Sequence, residues 1–408
     1  MGEQKKDFKI LRDLALRQAE FSNSERNKKL IKLWLDHNMG RGERPMLTVE
    51  TNTFAEELLP QRMQCQTELG RKIEYDFLLR QINCFEFKDD TVLPDYFPVR
   101  HQFIFKPFGL DVKVTKTEGL GHHFDPQITD LQNDEKILKK SVFYCDDESI
   151  EEYKRFAEDA FGDILPVKNE GSCLWCVLTQ DLVHLMGMEN MFYSMYDYPE
   201  LFRSVLDRLS DDYIAFHDYL SENKFILPTN SYEHVSQGTY AFNDVLPTEK
   251  ENFTPSDVWG FMDSQESVGV SEEMFKELIF PFYEKVGKRF GMLSYGCCEP
   301  VDPVWDSCIS KFKNLRKVSV SPWCNEKFMG ERLAGGQIIY HRKPDPTILG
   351  VGEVLDEERL RKHIRTTLEA AKGCKIEFTQ RDVYSVNRDI DKVKRYVQIL
   401  REETENAY

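Results

Sequence analysis

The chain has 408 residues, 41% of them hydrophobic, with 54 Lys+Arg against 70 Asp+Glu and a formal charge of −16. That length and apolar content supply a packed core and exclude wholesale disorder, while the acidic balance argues against nucleic acid as a partner. The longer apolar runs, such as Cys173 to Leu178, fall far short of the roughly 18 residues that span a bilayer. The opening MGEQKKDFKI lacks the apolar core of a secretory signal, so the expectation is a cytoplasmic protein without membrane contact. Ten dispersed cysteines then read as reduced thiols.

Residues 1–44 are charged and close on Asn38-Met39-Gly40-Arg41-Gly42, a polar hinge before the apolar Met46-Leu-Thr-Val-Glu50. They predict a helical N-terminal extension, followed by one domain over 45–408. Gly121-His122-His123-Phe124-Asp125 reads as a surface loop, and Ser149 with Glu152 matches a capping box for a helix ending near Gly162. On a strand, the two thiols of Cys173-Leu174-Trp175-Cys176 face opposite ways, which favours core positions over a redox pair. Pro199 suits a first helical turn, with Leu201, Val205, Leu209, Tyr213 and His217 following at helical spacing.

The second half alternates short β-prone runs with amphipathic ones, which is βα order. Strands are predicted to end near Leu227, Met262, Tyr295, Val320, Tyr340 and Phe378. Ser271 caps a helix with a kink at Pro281, and Asp356 starts one that carries Leu360, Ile364 and Leu368 and stops before Gly373. With Met46 to Glu50 and runs around His101 to Phe105 and Leu174 to Leu178, the count reaches about eight or nine strands, against the eight of a (β/α)8 TIM barrel. An open doubly wound sheet would carry a Gly-rich phosphate turn after its first strand, where this chain has Glu50-Thr51-Asn52-Thr53.

In a parallel barrel the reactive residues lie just past the C-terminal ends of strands. Here those positions hold Thr229-Asn230, Asp263-Ser264-Gln265-Glu266, Gly296-Cys297-Cys298-Glu299, Ser321 to Cys324, and His341-Arg342-Lys343. Strand alternation puts Tyr295, Cys297 and Glu299 on one side and Cys298 on the other. Read for chemistry, Cys297 or Cys298 is a zinc ligand, with Cys324, His341 or Glu266 completing a set of soft and borderline donors. The thiols also read as small buried residues, or one of them as a nucleophile activated by a nearby His. Asp263, Glu266 and Glu299 offer acid, base or charge-anchor roles if buried, and Lys343 or Arg342 can hold a carboxylate or phosphate.

Asp89-Asp90-Thr-Val-Leu-Pro94, Phe108-Gly109, Tyr198-Pro199-Glu200, Ser264-Gln-Glu266 through Pro281, Tyr295-Gly-Cys-Cys-Glu-Pro300 and Lys343-Pro344-Asp345-Pro346 follow one another in an order that resembles the uroporphyrinogen decarboxylase superfamily. That superfamily includes the corrinoid-dependent methyltransferases, and the resemblance runs from about residue 45 to 405. It implies a TIM barrel. True uroporphyrinogen decarboxylases carry an early Arg-Gln-Ala-Gly-Arg-Tyr; this chain has Arg17-Gln18-Ala19-Glu20 before its first strand, so the methyltransferase branch is the nearer likeness. There, His-x-Cys and a later Cys bind zinc; at the matching places this chain has Tyr295-Gly296-Cys297 and His341-Arg342-Lys343.

The resemblance thus implies a methyltransferase that moves a methyl group between a small methylated compound, or a thiol, and a corrinoid carried by a partner protein. The chain has no Asp-x-His-x-x-Gly corrinoid motif, since Asp181 to Gly187 is one residue too long. Glu266, Glu299 and Cys297 stand as catalytic residues, with Asn230, Gln265, Tyr295 and Lys343 as substrate contacts. Cys297, Cys298, Cys324 and His341 are the metal positions for Zn2+, and a homodimer is an allowed state. The rival readings are a decarboxylase of a small carboxylate and a non-catalytic binding or regulatory barrel, the latter prompted by Tyr295 in place of His.

Overall fold

The computed structural model describes residues 2–116, 122–236 and 238–407. Its centre is a parallel sheet of seven strands: β1 (Met46–Val49), β2 (Leu174–Cys176), β3 (Trp259–Met262), β4 (Met292–Tyr295), β5 (Leu315–Val320), β6 (Ile339–Arg342) and β7 (Ile376–Gln380). Neighbours run β1-β7-β6-β5-β4-β3-β2, so each strand from β2 onward pairs with its successor and the first pairs with the last. Most residues of these strands are buried, as a sheet covered on both faces requires.

The edge strands β1 and β2 are not joined by a ladder among the described residues. A separate parallel pair is formed by Phe97–Val99 with Val167–Asn169. Glu170 N extends that pair by donating to Val99 O at 2.9 Å, and on β1 Leu47 O accepts from Asp90 N at 2.8 Å.

Two strand expectations fail. Residues around Leu227 form no strand, because Pro228 has no N–H to give a ladder. The run near His101 does give a strand, Phe103–Lys106, but it pairs antiparallel with Val142–Cys145 in a separate small sheet. Alternation identifies a strand without naming its partner.

Helices α1 (Gly2–Ser22) and α2 (Glu25–Asn38) precede β1, with Ser24 capping α2. They are anchored by polar side chains aimed inward. Trp34 Nε1 donates to Asp90 O at 2.7 Å, and Asn38 Nδ2 donates to Tyr240 O and Phe242 O, both at 2.9 Å.

Pro199 opens the helix Pro199–Glu222, and Asp356 caps Glu357–Ala370, with Gly373 at φ +84° beyond it. Ser271 caps its helix as predicted, and the chain then passes through a wide turn before Phe280–Gly287, where Pro281 sits in the first turn. The helix Glu148–Phe161 reaches Gly162, but Asp147 rather than Ser149 occupies its cap and its carboxylate makes no capping bond. Gly121 lies outside the described residues, and His123 is exposed in the strand His122–Phe124. Cys176 belongs to the main core and Cys173 packs on a different cluster around Trp259, the opposed arrangement predicted. No described helix is long and apolar enough to cross a membrane.

One face of the sheet carries a buried charge network. Lys317 of β5 pairs with Glu377 of β7 at 3.0 Å, and His341 of β6 and His37 of α2 approach the same carboxylate at 3.2 and 3.3 Å. Trp34 and Trp259 rings flank the ammonium at 5.6 and 5.9 Å.

Candidate active site

Strand β4 ends at Tyr295, and Gly296 then turns at φ +95°, a left-handed conformation that glycine adopts at little cost. The turn abolishes the predicted alternation. Cys297 and Cys298 are brought to the same side, with their sulfurs 3.4 Å apart. Arg381, directly after β7, donates from Nη1 to Cys297 Sγ at 3.0 Å and reaches Cys298 Sγ at 3.8 Å. It is itself held by Glu50, past the end of β1, at 3.0 Å and by Asp382 at 3.2 Å.

This setting splits the two thiols. The hydrogen bond from Cys298 and the charge of Arg381 draw Cys297 below the ordinary thiol range, against the cost of burial. Cys298 is pushed upward by the same contact, by burial and by the charges of Cys297 and of Asp382, whose carboxylate oxygen stands 3.3 Å from its sulfur. The arrangement therefore favours one thiolate and one thiol.

Around them stand three buried carboxyls. Glu299 accepts from Cys297 N at 2.8 Å and Ser264 N at 3.0 Å, and burial raises its pKa. Asp263 is raised further by burial and by the charges of Glu299, Cys297 and Glu266, and its Oδ1 has no hydrogen-bond partner. Glu266 accepts from Thr179 Oγ1 at 2.9 Å and is raised by burial. Burial moves each of the three pKa values upward, the direction that suits a carboxyl to proton donation.

One cavity opens on this cluster, and a second is lined by Glu50, the partner of Arg381. A cleft of about 770 Å³ is lined by Gln180, His184, Gln265, Glu266, Cys298 and Trp323, among others. A second, of about 370 Å³, is lined by Glu50, Arg80, Arg100, Glu170 and His234 with neighbouring residues. Glu50 lines the smaller cavity and also holds the arginine that touches Cys297.

The other predicted positions are placed as follows. Lys343 is buried beside His341 Nε2 at 2.9 Å, and burial, with the charge of Arg381, brings its pKa down to about 7. His341 turns to Glu377, Thr379 Oγ1 (2.8 Å) and Lys343. Cys324 packs against Ser321 Oγ and the backbone oxygen of Glu299, at 3.6 and 3.9 Å. Tyr295 is 1% exposed; its hydroxyl meets Ser264 Oγ at 2.7 Å and its ring packs on Tyr283 and Phe312. Asn230 is partly buried with Nδ2 unpartnered, and Arg342 is spent on Val320 O, Ser321 O and Glu326.

Among the described residues, Cys297, Cys298, Cys324 and His341 do not bring three donor atoms within 4.8 Å of one another. A guanidinium stands at the sulfur instead, so the zinc set suggested by the resemblance does not fit this arrangement. Arg381, Asp382 and Glu50 surround the cysteine pair and were not among the residues singled out in the sequence. The signal was available: Arg381 and Asp382 follow β7 as Cys297 follows β4, and Glu50 follows β1.

No family model matches the chain, and no curated protein matches it. Among solved structures, a methyltransferase from Methanosarcina mazei is similar, with a TM-score of 0.52 at 11% sequence identity, over 91% of this chain and 98% of that one. At that identity the likeness speaks for the fold alone.

Proposed function

We propose that the protein is a methyltransferase whose Cys297 works as a thiolate at the mouth of a (β/α)8 barrel. The observation that carries this reading is the 3.0 Å contact from Arg381 to Cys297 Sγ, next to the cleft of about 770 Å³. Arginine keeps its proton in proteins, so it favours sulfur in the anionic form that attacks carbon. In the step, a sulfur lone pair forms the S–CH3 bond while the bond from the methyl carbon to its carrier breaks. The electron pair leaves with the oxygen, nitrogen or sulfur of the small methylated compound, to which Glu266 or Glu299 supplies a proton. The methyl group would then pass from Cys297 to a reduced corrinoid on the partner, and the electrons of the broken S–CH3 bond would restore the Cys297 thiolate.

Gln265, which lines that cleft, orients the small substrate. Zinc enters no step. The exposed rim of Met188, Val268 and Trp323, with Trp323 74% exposed, supports docking of a partner protein whose corrinoid supplies the methyl-exchanging centre.

The test is transfer from methylated thiols, amines and ethers to free cob(I)alamin, followed by loss of its absorbance. Wild type is expected to react, and Cys297→Ser to lose at least ~10²-fold in kcat, the scale of a removed catalytic group. Equal rates in the two proteins overturn the reading. Decarboxylation of a small carboxylate is the second reading, favoured by Lys343 with its pKa about 7 and by Arg80 and Arg100 on the smaller cavity. Carbon dioxide release that survives Cys297→Ser selects it.

A further inference from the structure

Away from the mouth thiols, His101, Cys145 and Asp147 bring a nitrogen, a sulfur and an oxygen within 4.8 Å of one another. Three different elements deliver them. His101 precedes the strand Phe103–Lys106, Cys145 ends the strand paired with it, and Asp147 stands at the start of the helix Glu148–Phe161. Register fixes the first two, because Phe103 is opposite Cys145 and Asp146 N donates to Gln102 O at 2.8 Å.

The separations are 2.9 Å from His101 Nδ1 to Asp147 Oδ1, 2.9 Å from Cys145 Sγ to the same oxygen, and 3.9 Å from sulfur to nitrogen. A tetrahedral zinc with bonds of about 2.0–2.3 Å sets its ligand atoms roughly 3.3–3.6 Å apart. The three atoms reach that geometry by shifts of about half an ångström, within the reach of side-chain rotation.

A second observation concerns Asp147. An aspartate at a helix cap ordinarily accepts N–H groups of its own first turn. This one makes no such bond and gives one oxygen to both the thiol and the imidazole. The imidazole is held by rings on two sides, Phe103 at 5.9 Å and Phe225 at 5.1 Å. His101 and Asp147 side chains are 17% and 35% exposed, which leaves an approach for solvent as a fourth ligand.

We propose that His101 Nδ1, Cys145 Sγ and Asp147 Oδ1 bind a divalent metal of the zinc type, with solvent in the fourth position. The mixed nitrogen, sulfur and oxygen set selects zinc or cobalt over magnesium or calcium. On binding, the metal takes the place of two protons: that of the thiol, which leaves to solvent, and that on His101 Nδ1, which is given up so that the neutral imidazole carries its one proton on Nε2. The ion ties the small antiparallel sheet to the start of the helix. This inference does not rest on the methyl-transfer reading.

The test uses the full chain under reducing conditions, in a Cys297→Ser/Cys298→Ser background that removes the mouth thiols. Cobalt(II) titration is expected to give the thiolate-to-cobalt charge-transfer band of a tetrahedral site at one equivalent, bleached by zinc. Cys145→Ser is expected to abolish that band. Asp147→Asn is expected to weaken binding by more than about 100-fold, beyond the ~10–100-fold typical of outer-shell changes. Zinc is also expected to raise the melting temperature of the background protein and leave that of its Cys145→Ser variant unmoved. Absence of the band, or its persistence in a folded Cys145→Ser variant, overturns the proposal.

Discussion

Cys297 differs from the other cysteines in what surrounds its sulfur, a guanidinium on one side and a thiol donor on the other. Its alkylation by iodoacetamide is therefore expected to follow pH with a midpoint below that of an ordinary thiol, since a lowered pKa keeps thiolate present as the pH falls. Arg381→Gln removes the charge and moves that midpoint upward. At pH values below the midpoint, one pH unit of movement lowers the rate about tenfold. Mass spectrometry of the labelled peptide across a pH series checks this, and an unmoved midpoint contradicts it. At Gly296, a Cβ would stand 3.1 Å from Ser319 Cβ on a backbone already at φ +95°. Gly296→Ala is expected to cost about 1–3 kcal/mol in denaturant unfolding and to spread the two thiols apart. The residue types at this site were legible from strand ends alone. Their orientation was not, because alternation holds only while the chain stays extended, and it stops at Gly296.

Among the elements, the helix Pro199–Glu222 followed its sequence pattern closely, from Pro199 in the first turn to the buried stripe through Val205, Leu209, Tyr213 and His217. Its last member carries a pH dependence. His217 is buried, donates from Nε2 to Trp175 O at 3.1 Å, and burial lowers its pKa to about 4. The unfolded chain binds the proton near the usual 6.5 and the folded chain only near 4, so stability rises with pH between these values and is lost as the pH falls through them. The loss amounts to roughly 3 kcal/mol at most. Urea unfolding at pH 7 and pH 5 checks it, and His217→Gln is expected to flatten the difference. The strand Phe103–Lys106 shows the limit of local pattern, because its apolar run was visible while its partner, Val142–Cys145, was set by tertiary pairing.

For the whole molecule, the order of strands was readable because βα alternation leaves few ways to lay the sheet. The charge network inside it was not readable, since Lys317, His341 and Glu377 are separated in sequence and their meeting depends on register. Lys317→Met leaves Glu377 buried without its closest cation and is expected to cost ~3–5 kcal/mol. Adding Glu377→Gln removes the stranded charge and is expected to recover much of that loss. A double-mutant cycle by chemical denaturation measures the coupling, and simple additivity would contradict it.

The pairing of β1 with β7 also bears on how the protein is made. Met46 to Val49 find their sheet neighbours in Glu377 to Gln380, and Thr48 meets Thr379 hydroxyl to hydroxyl at 3.0 Å. During synthesis the first strand waits, its backbone donors served only by water and nearby side chains, until nearly the whole polypeptide has left the ribosome. A nascent chain stalled just before residue 376 thus lacks the partner its opening segment needs. Fragments from interrupted translation are expected to be cut readily by protease.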